Sequence, residues 1–137
     1  MHADLFKSGF VPNKEKSLWE PTPVITWLGT VIDTSKCIVS ATDARIQSLS
    51  EDLSFVLDST HPSLCQVRKL ASVCGKIISL WNCNVIRLMT RNIFAVINSA
   101  MDWSSMVSLT PGCVDDLNLW QVNLVQINGV PLWPIKP

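Results

Sequence analysis

The stretch that decides the fold is PTPVITWLGTVID, residues 21–33. Two prolines precede a β-branched run, a Trp-Leu-Gly step sits inside it, and Asp33 closes it. Val, Ile, Thr and Trp suit a pleated, half-buried surface, which predicts a strand over 24–32. Gly29 inside such a run marks a bulge or a close backbone approach. Trp27, taken alone, reads as core packing ahead of contact surface. Downstream, Asp33-Thr34-Ser35-Lys36 has turn composition, and 37–40 can return antiparallel to the strand. Upstream, residues 1–9 read as the end of a helix that Gly9 stops in the left-handed C′ position. Ser17 to Glu20 is a short extended piece ended by Pro21.

From Thr42 the period becomes helical. Ile46, Leu49, Leu53, Val56 and Leu57 recur on one helix face, with Thr42 or Ser40 as N-cap. His61-Pro62 breaks this helix, and Ser63-Leu64-Cys65-Gln66 reads as a capping box opening the next. Stepping about 100° per residue from Lys69, Leu70, Cys74, Ile77, Ile78, Trp81, Val85 and Leu88 share one apolar edge. Lys69 and Lys76 line the adjoining edge. Arg87 and Arg91 join them provided the helix runs unbroken through Asn82-Cys83-Asn84. After Asp102-Trp103 comes a loop with Pro111-Gly112, then a third helix over 114–127 that closes at Asn128-Gly129. The tail GVPLWPIKP reads as an extended linker toward a further domain. The pattern predicts an α+β fold: a short N-terminal β-hairpin or meander followed by a helical bundle.

A chain of 137 residues is one domain or a piece of a larger protein. Its 47% hydrophobic content suffices for a core, while only 16% charged residues fits a domain that leans on a partner or on neighbouring domains. No membrane span is expected: the apolar run 77–86 is too short, and 117–135 is interrupted by polar residues, Gly and Pro. The start MHADLFKSGF lacks the features of a signal peptide, so an intracellular location, cytoplasmic or nuclear, is expected. The five cysteines, Cys37, Cys65, Cys74, Cys83 and Cys113, form no CxxC pair. Reduced thiols are expected rather than disulfides, and His61 with Cys65 supplies too few ligands for a metal site.

The zero net charge hides an asymmetry. Residues 1–40 balance, 41–62 carry −3, 63–100 carry +5 with no acid, and 101–137 carry −2. The basic block is either a solvated helix face or a surface contacting phosphates without reading bases. Asp115-Asp116 could hold a divalent ion, but two acids in the first turn of a helix are better explained by its dipole. The scattered glycines form no phosphate loop, and nothing suggests a nucleophilic triad. No catalytic residue, metal ligand or cofactor site is expected in this chain.

In this order the pieces resemble the C-terminal end of a retroelement reverse transcriptase palm. In gypsy-type and DIRS-like elements a helix end and a Gly-hydrophobic-x-x-Asn-x-x-Lys stretch lead into a strand, matched here by Gly9, Asn13 and Lys16. The hydrophobic-aromatic-Leu-Gly-hydrophobic hairpin that comes next, called the primer grip, is matched by Trp27-Leu28-Gly29. RIQSLSEDLSFVL and VRKLASVCGKIISL resemble the two-helix thumb. RKLASVCGKIISL, RLMTR and NGVPLW point to the DIRS-like group.

The resemblance implies a palm edge over 1–40, thumb helices over 41–100, and a connection over 101–137 toward an absent ribonuclease H domain. It implies that Trp27, Leu28 and Gly29 hold the primer end, that Lys14 and Lys16 close the palm, and that Arg68, Lys69 and Lys76 lie along an RNA–DNA or DNA duplex. Arg87 and Arg91 extend that track. The family's catalytic carboxylates, with their Mg²⁺, would lie upstream of Met1, and ATDAR departs from the Pro-Glu helix start of relatives. The expectation is therefore a fragment inactive as a polymerase, binding duplex weakly through phosphates. Its partners would be the remaining polymerase and ribonuclease H domains. The alternative is a protein-interaction module, or a decayed or domesticated element product, with no nucleic-acid role.

Overall fold

The computed structural model describes residues 2–13, 15–58, 64–80 and 84–132, with backbone alone at 2, 3, 84 and 85. The fold is α+β. Helix α1, His2–Lys7, ends as its sequence requires. Gly9 takes φ 83°, its N–H bonds the Phe6 carbonyl and the Phe10 N–H bonds the Leu5 carbonyl, the paired bonds of a Schellman motif.

A meander comes next: β1, Val24–Trp27, β2, Thr30–Asp33, and β3, Ile38–Ala41. The single strand expected over 24–32 is thus two strands, paired with Trp27 opposite Thr30. Leu28 (φ 49°) and Gly29 (φ 76°) form the whole connection, and positive φ at both positions defines a type I′ turn. Gly29 marks a reversal rather than a bulge. The β2–β3 turn is held by Asp33, whose Oδ1 accepts from the backbone N–H groups of Ser35 and Lys36.

Helix α2, Asp43–Leu57, begins directly after β3, with Thr42 at the N-cap. It buries Leu49, Leu53 and Val56, as the helical period predicts, and leaves Phe55 exposed. The capping box expected at 63–66 is not the start of the next helix. Leu64–Gln66 is strand β4, antiparallel to β5, Met106–Ser108, inside the expected loop after Asp102-Trp103. Ser63 lies outside the described residues, as do His61 and Pro62. Helix α3, Val67–Leu80, buries Val67, Leu70, Val73, Cys74 and Ile77.

Two short helices come next, α4, Asn84–Leu88, and α5, Arg91–Asn98. The last helix, α6, is Pro111–Asn123 and starts three residues before the expected position. Pro111 occupies its first turn, where a missing N–H costs nothing, and the Thr110 hydroxyl accepts from the Cys113 N–H. Asp115 and Asp116 therefore lie beyond that first turn. Asp116 instead accepts from the Asn92 backbone N–H at 3.0 Å and its side-chain amide at 3.2 Å, so it caps α5 rather than its own helix.

Helix α2 packs on α3 and α6, α3 on α5, and α5 on α6, enclosing a core centred on Leu53, Leu70, Ile77, Ile93, Leu117 and Trp120. The Trp120 indole N–H donates to the Met89 carbonyl at 3.0 Å, satisfying its one polar atom. The tail expected to be a linker begins with a strand: β6, Val130–Pro131, adds to β3 and completes the sheet order β1-β2-β3-β6. The Asn128 side chain bonds both the N–H and the carbonyl of Ala41, holding the end of α6 against this sheet. The tail beyond 132 lies outside the described residues.

Candidate nucleic-acid interface

The β1–β2 hairpin presents Trp27 and Leu28 to solvent, with 63% and 78% of their surfaces exposed. Trp27 is thus a surface residue, not the core residue its type suggests. Beneath them, the Gly29 carbonyl accepts from the Thr42 N–H at 3.2 Å and from Arg45 Nη1 at 3.4 Å. A Cβ at Gly29 would come within 2.7 Å of Arg45 Cδ. The glycine therefore serves both the left-handed turn and the close approach of an arginine. The hairpin tip is fastened to the first turn of α2.

From Arg45 a polar chain runs along the seam between α2 and α3. Arg45 Nη2 donates to Ser79 Oγ at 2.8 Å, and Ser79 Oγ donates to the Lys76 carbonyl. Lys76 Nζ donates to Ser48 Oγ and pairs with Asp52 Oδ2, both at 2.8 Å. Lys69 Nζ pairs with the other oxygen, Asp52 Oδ1, at 2.7 Å and lies 5.2 Å from the centre of the Phe55 ring. Burial works against the charge on Asp52, but the hydrogen bonds and charges of Lys69 and Lys76 outweigh it. They hold its carboxyl below the usual carboxylate pKa. The two lysines are neutralised in part by this acid from the neighbouring helix, so the triad carries one net positive charge and Arg45 adds another.

The remaining candidates do not all share this seam. Lys14 lies outside the described residues, and Lys16 is exposed in the turn closed by Asn13. Arg68 is exposed near the start of α3. The hydroxyl of Ser104, with Arg68 contributing less, lowers the pKa of Asp102. Arg87 stands in the last turn of α4 and Arg91 opens α5, both exposed. The turn at Met89-Thr90 separates α5 from α4, so Arg91 leaves the expected single row; the expected passage of that row through Trp81 and 82–83 lies outside the described residues.

Sequence reading alone passes over Arg45, Ser48, Asp52 and Ser79. Their signal is a polar stripe: 45, 48 and 52 on one helix, and 69, 76 and 79 on the next, each at spacings that keep one face. Burial raises the thiol pKa values, of Cys74 to about 11 and of Cys113 to about 12, and leaves them poor nucleophiles. Among the described residues no three His, Cys, Asp or Glu side chains gather as a metal site, and no helix is long and apolar enough to cross a membrane. No protein-family model, curated protein or solved structure matches the chain.

Proposed function

We propose that this chain is the palm edge, thumb and connection of a retroelement reverse transcriptase, and that it positions a template–primer duplex without performing chemistry itself. The observation that carries the reading is the continuous link from the hairpin tip to the cationic seam. Trp27 and Leu28 are exposed at one end, Gly29 and Arg45 join them to α2, and Lys76 and Lys69 continue along α3. Such a surface offers an apolar edge for a strand end and cations for phosphates, contacts that position a duplex without depending on its sequence. The polymerase's catalytic aspartates and their Mg²⁺ would belong to the rest of the enzyme.

The test is fluorescence anisotropy with RNA–DNA and DNA duplexes of several sequences between about 50 and 200 mM salt. With three or four phosphate contacts, the log–log salt slope is expected near −3, to within about one, and independent of sequence. Replacing the exposed cations Arg68, Arg87 and Arg91 by Gln leaves the fold intact and should flatten the slope by about one for each that contacts phosphate. Binding that ignores salt, or no binding at the low end of that range, sinks the proposal.

A second reading, a protein-interaction module, rests on a different observation. Phe10, Val11, Leu18, Trp19, Trp27 and Leu28 are all exposed within the first 28 residues, a concentration of large apolar side chains at the surface of one end of the chain. Absent duplex binding together with concentration-dependent association would favour it.

A further inference from the structure

The seam between α2 and α3 holds a half-open cavity of about 190 Å³ lined by Ala44, Arg45, Ser48, Lys76, Ser79 and Leu80. We infer that this cavity is a site for a single phosphoryl oxyanion, held between the Arg45 guanidinium and the Lys76 ammonium.

The donor inventory supports an anion over any other occupant. A guanidinium has five N–H donors, and among the described residues Arg45 places bonds on the Gly29 carbonyl and Ser79 Oγ. An ammonium has three, and Lys76 directs its bonds to Asp52 and Ser48. Ser48 Oγ accepts from Lys76, which leaves its own hydrogen free to donate. The lining thus keeps spare donors on Arg45, Lys76 and Ser48, and no carboxylate lines it. Asp52 touches Lys76 from outside the cavity, and Asp43 lines a different hollow with Ile46, Gln47 and Gln121. A tetrahedral dianion can accept from a guanidinium edge and an ammonium at once, and such charge-assisted bonds are the strong ones.

Preorganisation supports the same conclusion. Arg45 is fixed by Gly29 on one side and Ser79 on the other, and Lys76 by Asp52 and Ser48, so little side-chain freedom remains to be lost on binding. The site does not depend on the duplex reading. The phosphoryl group could belong to free phosphate or a small phosphate ester, or to a nucleic-acid strand, and the experiment separates these sources.

The experiment titrates inorganic phosphate into the full chain at constant ionic strength, against chloride, following backbone amide shifts. Saturable shifts centred on Arg45, Ser48, Lys76 and Ser79 are expected, with Kd on the order of 1 mM. Arg45→Gln should weaken this about tenfold, while Arg68→Gln, outside the cavity, should not. Because Arg45 also supports the hairpin, Ser48→Ala provides a milder variant, expected to weaken phosphate binding with an unchanged melting temperature. Duplex titrations of the same variants form the second arm. Phosphate binding without duplex binding leaves the site standing for a small phosphate ester and rejects the duplex reading. Duplex binding that is insensitive to Arg45→Gln and Ser48→Ala, with no phosphate-specific shifts, overturns the site and leaves the duplex reading intact. Shifts that chloride reproduces overturn it as well.

Discussion

In the sheet made by β1, β2, β3 and β6 only Ala41 is buried, whereas helices α2 to α6 contribute nearly all the remaining core. The two regions also differ in backbone strain. Among the described residues, the non-glycine positions with positive φ are Leu28 and Cys37, both in turns of the sheet. One region is a close-packed unit that holds itself together. The other is a thin sheet fastened to it at two points, Gly29 to Arg45 and Ala41 to Asn128. Stability and exposed surface are therefore divided between the regions, which is what a rigid support carrying a contact surface requires.

The largest expected effect tests that division directly. Trp120→Ala removes a fully buried indole from the centre of the bundle and should destabilise the protein by about 3 to 5 kcal/mol. Trp27→Ala removes the same side chain from the hairpin and should change stability by no more than about 0.5 kcal/mol. Urea unfolding of the two variants measures both. Equal losses would mean that the sheet has its own core and that the contrast is wrong.

That contrast is only half legible in the sequence. The helical period places Leu49, Leu53 and Val56 in the core because burial on a helix repeats regularly, and the same signal marks the apolar edge of α3. The Trp-Leu-Gly step passes for strand interior, since β-branched neighbours look alike on both sides of a tight turn. The two positive φ values and the pairing of Trp27 with Thr30 separate a reversal from a bulge. Strands β4, β5 and β6 have two or three residues each and exist through partners far along the chain, so no local pattern announces them. The cationic seam is visible on α3. Its counter-ion is not, because Asp52 stands on another helix and charge counted along the chain ignores pairs across it.

A smaller effect concerns how the seam joins α2 to α3. The folded pKa of Asp52 lies below its unfolded value, so the carboxylate contributes stability fully above the unfolded pKa of about 3.9. That contribution is lost as pH falls through the folded value. Asp52→Asn should cost about 1 kcal/mol near neutral pH, modest because Lys69 and Lys76 are partly exposed. The difference between wild type and variant should shrink toward zero as pH falls through the folded pKa of Asp52, below which both side chains are uncharged. Asp33 and Asp102 also have lowered pKa values, but they are common to both proteins and cancel. A difference that stays constant with pH would show that Asp52 acts through packing and not through its charge.

The smallest effect has the opposite sign. A type I′ turn favours Asn at its first position, because a short polar side chain tolerates left-handed φ, yet this hairpin places Leu28 there at φ 49°. A leucine pays roughly 1 kcal/mol for that conformation relative to a residue that adopts it freely. Leu28 recovers little by burial, since 78% of its surface faces solvent. A strained, exposed apolar residue beside an exposed tryptophan is the pattern expected where contact outweighs stability. Leu28→Asn should therefore stabilise the protein by about 0.5 to 1 kcal/mol and protect the amides of β1 and β2 from exchange, while weakening duplex binding. If the variant is more stable and binds duplex as well as wild type, the leucine serves no contact there, and the hairpin is a fastening for the sheet alone.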